Sequence, residues 1–396
     1  MKDFLTWAEV SKEALAQNIK QLKSRLKPDV LLCACVKANA YGHGIIETSK
    51  IFLEAGADWL SINALYEAEV LRAAGITAPI YIMGYTLFSD LEKAFDLDVR
   101  LVVYNKETVE RLGEIAKKAR GCGLGAHSAP TSRGVKLHIK LETGNNRQGV
   151  HCEDIVEFAN FIKSFEGLEI EGLSTHFANI EDTTDHSFAF GQVEKFKKAI
   201  EDLEKAGIKI PIKHCANSAA AILYPETHFD MVRVGISTYG MWPSSETKVS
   251  YKNLQKNGFE LKPALTWKSV VAQIKTVPKG DFVGYGCTCR ATRDIKMAIV
   301  PVGYYDGFDR SLSNNTYVLI RGQRAKILGR VCMNICMFDI TDIPEVEIED
   351  EVVLMGVQSF DGVSDAISAE QFAAQAGTIN YEVTTRINER IPRIYV

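Results

Sequence analysis

A lysine, Lys37, ends the unbroken apolar run Val30-Leu31-Leu32-Cys33-Ala34-Cys35-Val36 and is followed at once by Ala38-Asn39-Ala40-Tyr41-Gly42-His43-Gly44. Seven apolar residues without alternation read as a strand covered on both faces, and the two glycines allow a tight turn from strand into helix. An amine held there is partly desolvated, which disfavours the ammonium and favours attack on an aldehyde to form an imine. A lysine reaching into solvent fits the same motif. Asn63, Lys140, His176, Asn217-Ser218 and Arg233-Val234-Gly235 also sit one to three residues past an apolar run. Each alone reads better as a cap or a solvated strand end, but their coincidence on one face points to a site.

Positioning these residues requires a repeating element. Apolar runs end near Lys37, Ser61, Met83, Val103, Lys140, His176, Cys215 and Arg233. Between them lie amphipathic stretches such as Ala64 to Arg72 and Phe188 to Leu203, the second with Thr183, Thr184 and Asp185 available as an N-cap. Eight strand-helix units over roughly two hundred residues predict a (β/α)8 TIM-type barrel, whose functional groups gather at the C-terminal ends of its strands. After about Trp242 the pattern changes to short β-type runs, Trp267–Ile274, Met297–Val302, Tyr317–Ile320, Ala325–Leu328 and Val352–Met355, broken by Gly, Asp and Pro. The expected division is a barrel over 12–245 and a β-rich domain formed by 1–11 and 246–396. The Gly-, Ser- and Pro-rich stretch 121–134 reads as a surface loop.

Bulk composition narrows the function. The 396 residues are 46% hydrophobic and 24% charged with a net charge of −4, and they hold no Lys/Arg block that would track a phosphate backbone. Nucleic acid is therefore not an expected partner. The N-terminus lacks a signal-type apolar region, and no window reaches membrane-span length. Nine cysteines, without Cys-x-x-Cys pairs or histidines at zinc spacing, predict a reduced, cytoplasmic protein with no metal site.

Taken together, the motifs resemble those of the alanine racemases, the fold-type III enzymes that use pyridoxal 5'-phosphate. The resemblance runs nearly end to end, through Val36–Gly44, Thr175-His176-Phe177-Ala178, His214–Ala219, Arg233–Ile236, Tyr285-Gly286, Gly303–Gly307 and Gly329–Met333. It implies that Lys37 carries the cofactor and serves as one of two bases. Tyr285, supplied by a second copy of the chain, would be the other, on the opposite face of the substrate, so a homodimer with shared sites is implied. Two bases on opposite sides of a planar carbanion are what racemisation requires. Bringing a tyrosine from about 10 to about 7 takes roughly 4 kcal/mol of differential stabilisation, and the resemblance names His176 as the neighbour that supplies it. Without the resemblance, His176 reads better as a core histidine satisfied by backbone.

Arg233 resembles the arginine that faces the pyridine nitrogen, with His214 supporting it. A guanidinium only donates, so it leaves that nitrogen unprotonated, weakens the electron sink and favours racemisation over transamination. Asn217, Ser218, Gly235 and Ile236, with the hydroxyls of Tyr41 and Tyr381, join Lys37, Arg147, His176 and Arg233 as the implied cofactor-binding set. Arg147, Met333 and Tyr285 are the implied substrate contacts. Lys140 aligns with a lysine that the family carries as a carbamate, partnered by Arg147. Arg310, Tyr304 and Arg330 resemble residues of the approach corridor.

The family more often has Asp, Met and Gly where this chain has Glu142, Asn145 and Asn146, and usually Asp where it has Asn334. The implied activity is interconversion of L- and D-alanine for peptidoglycan precursors. A racemase of the same family acting on serine or on a broader set is the alternative. A non-catalytic barrel that only holds the cofactor would lack the region bearing Tyr285 and Met333. A basic amino-acid decarboxylase would carry a cysteine-aspartate motif, which is not found around Cys332 or Cys336.

Overall fold

Apolar runs with no polar alternation become strands buried on both faces. Trp59–Ile62, Ile80–Ile82, Val99–Val103 and Met231–Val234 are buried at every position. The computed structural model describes residues 4–121, 134–254 and 258–396, so most of the expected loop over 121–134 lies outside the described residues. The chain divides into two compact units, one of 15–38 with 45–262, the other of the segment ending at Ala14 with 39–44 and 263–396. The first unit thus runs on past Trp242, because the helix Ser245–Asn253 packs against the helix Ser218–Leu223.

In the first unit eight parallel strands follow one another in chain order: Leu31–Cys35, Trp59–Ile62, Ile80–Ile82, Val99–Val103, Val135–Glu142, Leu168–Ser174, Ile212–His214 and Met231–Val234. The eighth pairs with the first, Val232 opposite Leu32. The seventh and eighth are joined by Asp230 N to Lys213 O at 3.0 Å and Arg233 N to Ala216 O at 2.9 Å, which nearly closes a TIM-type barrel. Each strand ends within about two residues of the end expected from its apolar run. The amphipathic stretches become the helices Leu65–Ala73 and Ser187–Lys205. The second begins at His186, without a side-chain cap; Asp185 instead accepts from Ser187 N at 3.0 Å, one residue outside the expected capping geometry.

The barrel interior holds an aromatic layer with a polar thread. The rings of Tyr81 and His138 stand 4.8 Å apart, and those of His138 and His214 5.0 Å apart. Gly172 on the sixth strand makes room for this layer, since a Cβ there would lie 2.2 Å from His138 Nδ1. Beside it, the buried Glu171 receives Lys136 Nζ at 2.8 Å, His138 Nε2 at 3.2 Å and Arg100 Nε at 3.3 Å.

The second unit is mostly β. Thr6–Val10 pairs antiparallel with Leu265–Val270 and parallel with Arg393–Tyr395, inside a sheet that continues through Glu351–Phe360 to the hairpin Tyr317–Ile320 and Gln323–Lys326. The turn of that hairpin, Arg321-Gly322, has φ of +51° and +71°, matching a two-residue loop with both central residues left-handed. The expected strand Trp267–Ile274 is instead two strands, Leu265–Val270 and Gln273–Val277, which belong to different sheets. Trp267, Phe308, Phe338 and Phe372 form the aromatic core of this unit. Among the described residues, no helix is long and apolar enough to cross a membrane, and no cluster of His, Cys, Asp or Glu is arranged to hold a metal ion.

Burial pushes the Glu171 carboxyl up, but the hydrogen bonds from His138 and Lys136 and the charge of Arg100 outweigh it and bring it down to about 2 from an ordinary 4.5. A carboxyl depressed by folding contributes stability above its unfolded pKa and loses it as the pH falls through the folded value. Stability should therefore decline from about pH 4.5 toward about pH 2. Glu171→Gln should cost about 3 kcal/mol at neutral pH by leaving buried cations underpaired, and should flatten that acid decline. Urea unfolding across this pH range measures both, and an acid decline as steep as in the native chain would exclude Glu171 as its source.

Candidate active site

Lys37 begins where the first barrel strand stops. Val36 N still donates to Ser61 O at 2.8 Å, Lys37 is half-buried, and Ala38, Asn39, Ala40 and Tyr41 then take φ of +54°, +53°, +53° and +52°. Four consecutive side-chain-bearing residues in the left-handed region cost on the order of 1–2 kcal/mol each, and nothing in their types favours it except Asn39. The turn into a helix that the glycines predict is therefore left-handed and starts before them. Behind the lysine, the carboxylate of Glu67 accepts from Ala38 N at 2.7 Å, Asn63 N at 2.8 Å and Ala64 N at 3.1 Å.

Arg233, on the eighth strand and 6% exposed, is held from several sides. Its guanidinium donates to the carbonyls of Thr175 at 2.8 Å, His214 at 3.1 Å and Cys215 at 3.4 Å, and meets His214 Nδ1 at 2.6 Å. Arginine has no acceptor, so His214 Nδ1 must accept and its proton must sit on Nε2. That N–H points at His138 Nδ1, 2.8 Å away, which in turn places the His138 proton on Nε2, facing Glu171. Burial, followed by the charge of Arg233, holds His214 well below the usual histidine range. Burial likewise lowers His138, against the pull of Glu171. Both imidazoles are thus neutral, as the thread of hydrogen bonds requires.

His176 lies at the end of the sixth strand with its Nδ1 3.5 Å from Arg233 Nη2. Burial and then the charges of Lys140, Arg233, Arg147 and Lys37 drive it well below the ordinary range, so the imidazole is neutral. Burial likewise lowers Lys140 well below the usual ammonium range, Arg233 and Arg147 adding to it. Burial raises the Glu142 carboxyl, yet bonds from the backbone N–H groups of Asn146, Gly144, Arg147 and Asn145 leave it lowered. Glu142 therefore caps the 144–147 turn by accepting from its amides, and Asn146 takes φ of +52° within it.

Asn217 caps the helix Ser218–Leu223 by accepting from Ala220 N at 3.0 Å, and its amide donates to Glu181 at 3.1 Å. Its side chain is thereby engaged, and it sets the direction of Ser218. The Ser218 hydroxyl accepts from Gly235 N at 3.0 Å, and Ile236 opens the following short turn with its side chain buried.

In the second unit, the rings of Tyr41 and Tyr381 stand 6.1 Å apart. Tyr285 is 73% exposed on a tight turn between Gly284 and Gly286, with φ of +71° and +72°. A Cβ at Gly286 would lie 2.8 Å from Arg330 Cζ, so the guanidinium rests against the turn that presents the phenol. Met333 is also exposed, and Arg310 opens a short turn capped by Asp309. Asn334 donates to Asp306 Oδ2 at 3.3 Å, an oxygen that also accepts from Gly303 N at 2.9 Å. An aspartate at 334 would set a second carboxylate against Asp306, and the amide avoids that repulsion.

The structure thus gathers Lys37, Lys140, Arg147, His176, His214 and Arg233 at the C-terminal end of the barrel, and brings Ser218 to Gly235. Glu67, His138 and Glu171 escaped the sequence reading. His138 lies two residues before Lys140 on the same strand face, which is a usable signal. Glu67 and Glu171 are indistinguishable in sequence from surface glutamates.

The family model for the alanine racemase N-terminal domain matches residues 10–243, and that for the C-terminal domain matches residues 264–395. The alanine racemase of Methanococcus maripaludis is 42% identical over 391 residues, covering 98% of each chain. That of Desulfovibrio desulfuricans is 38% identical over 390 residues, with the same coverage. Among solved structures, the alanine racemase of Clostridium difficile 630 in complex with cycloserine superposes with a TM-score of 0.87 at 32% identity, covering all of this chain and 96% of that one. The alanine racemase from Bacillus anthracis with bound L-Ala-P has a TM-score of 0.87 at 37% identity, covering 99% of this chain and 95% of that one. The chain belongs to the alanine racemase family.

Proposed function

We propose that this protein interconverts L- and D-alanine with pyridoxal 5'-phosphate held at the C-terminal end of the barrel. The observation that carries the reading is the convergence there of a strand-end lysine, a donor-only buried guanidinium and neutral histidines, in a chain of this family. The donor set suits a phosphorylated pyridine aldehyde: Lys37 offers an amine to the aldehyde, and the Ser218 hydroxyl, which accepts from Gly235 N, has its own proton to offer the phosphate. Tyr41, Tyr381, Asn217 and Ile236 complete that set as the resemblance implies. When bound, the cofactor supplies an electron sink for a carbanion at the substrate Cα.

Arg233 offers an N–H to the pyridine nitrogen and has no proton to surrender, which disfavours proton delivery to the cofactor. His176, kept neutral with Nδ1 turned to a donor, carries its proton on Nε2 and can stabilise a phenolate at Tyr285. Lys37 and Tyr285 move protons on opposite faces of Cα, while Arg147 and the backbone amide of Met333 orient the substrate carboxylate. Racemisation rates across a panel of L-amino acids test the substrate, with alanine expected fastest. A serine rate above the alanine rate would overturn that assignment.

The site is further proposed to take Lys37 from one copy of the chain and Tyr285 from another. Lys37→Ala should abolish an absorption band near ~420 nm, the usual position for a lysine-bound cofactor, while Tyr285→Phe should keep the band and lose activity. Mixed and reassembled, the two inactive variants should regain about a quarter of native activity, because half of the dimers then hold one intact site of two. No recovery would mean that both bases come from one copy.

Lys140 is proposed to react as the free amine with carbon dioxide, forming an N–C bond and releasing one proton to give an anionic carbamate beside Arg147 and Arg233. Burial and the neighbouring positive charges lower its pKa, which favours the unprotonated amine that this reaction needs. With 13C-labelled bicarbonate, a carbamate resonance should appear and be absent in Lys140→Ala. Identical spectra from the two proteins would remove this step.

A further inference from the structure

One buried carboxylate stands directly behind Lys37 without a part in the chemistry above. Glu67, on the first turn of Leu65–Ala73, is 3% exposed. Its bond from Ala64 N is the ordinary reach of a third-position glutamate back to the start of its helix. The bonds from Asn63 N and Ala38 N are not needed by that helix. They extend the ladder between the first two barrel strands. Val36 N bonds Ser61 O, and the next amide in that register, Ala38 N, would look for Asn63 O. That carbonyl already accepts from Gly84 N at 3.1 Å, and Glu67 Oε1 takes its place. A side-chain carboxylate thus makes the last rung of the sheet, at the peptide that joins Lys37 to the left-handed turn.

We propose that Glu67 is a positioning residue for Lys37: by clamping Ala38 N to the second strand it fixes where the strand ends and the left-handed turn begins, and so the direction in which the amine leaves. This rests on the reading that Lys37 carries the cofactor. The rival is a helix cap and nothing more. Glu67→Gln keeps the shape but turns one oxygen into an N–H2, which must face either Ala38 N–H or the Asn63 and Ala64 pair. In the full-length protein with pyridoxal 5'-phosphate, amide exchange at Ala38 should quicken about tenfold or more. The kcat for alanine should fall about ten- to a hundredfold, with KM within about twofold.

Adding Ala64→Ser supplies a new side-chain cap to the same helix. The double variant should regain thermal stability while kcat stays low and Ala38 stays exposed to exchange. Recovery of kcat together with stability, or unchanged exchange at Ala38 in either variant, would reduce Glu67 to a helix cap. The exchange readout needs no cofactor chemistry, and a native protein with no lysine-dependent absorption band would instead refute the cofactor assignment, whatever Glu67 does.

Discussion

A guanidinium cannot give up its proton, and burying one on a barrel strand dictates the state of everything that touches it. Arg233 has only donors, so His214 must present a lone pair, His138 must present one to His214, and the thread must finish on an acceptor that carries charge. Glu171 is that acceptor. One positive and one negative end, separated by two neutral rings, leave no protonation pattern free. The thread also sets packing, because His138 fits only where the sixth strand has Gly172 in place of a side chain.

The same constraint organises the mouth of the barrel. Arg233, Arg147, Lys37 and Lys140 lie around His176, and its burial and their charge both favour the neutral imidazole. Burial and nearby positive charge favour the neutral form of Lys140 as well. Positive charge gathered in this way suits anionic groups, and the proposed phosphate and substrate carboxylate are of that kind.

What could be read in advance follows from how local each determinant is. The barrel was legible because several of its strands are short runs buried on both faces, and because polar residues stop those runs at one end. The motifs around Lys37, His176, Arg233 and Tyr285 are contiguous, so they too were legible. The split of Trp267–Ile274 into strands of two sheets was not, since an apolar pattern carries no record of which neighbour it pairs with. Glu67 and Glu171 were invisible for a related reason: a buried glutamate is identified by partners dozens of residues away, and its own neighbours in sequence look like those of any helix or strand.

The left-handed turn after Lys37 sharpens this point. Ala38 and Ala40 are good right-handed helix formers, and a local rule would continue them that way. They are held instead at φ near +54° and +53°, so the strain must be offset by contacts that the local sequence does not encode. On one side is the Glu67 rung to Ala38. On the other, within the second unit, Gly42 O accepts from Arg393 Nε at 2.9 Å and His43 O from Tyr395 Oη at 2.7 Å. The departure from local preference therefore falls next to the lysine proposed to carry the cofactor, where tertiary contacts override propensity.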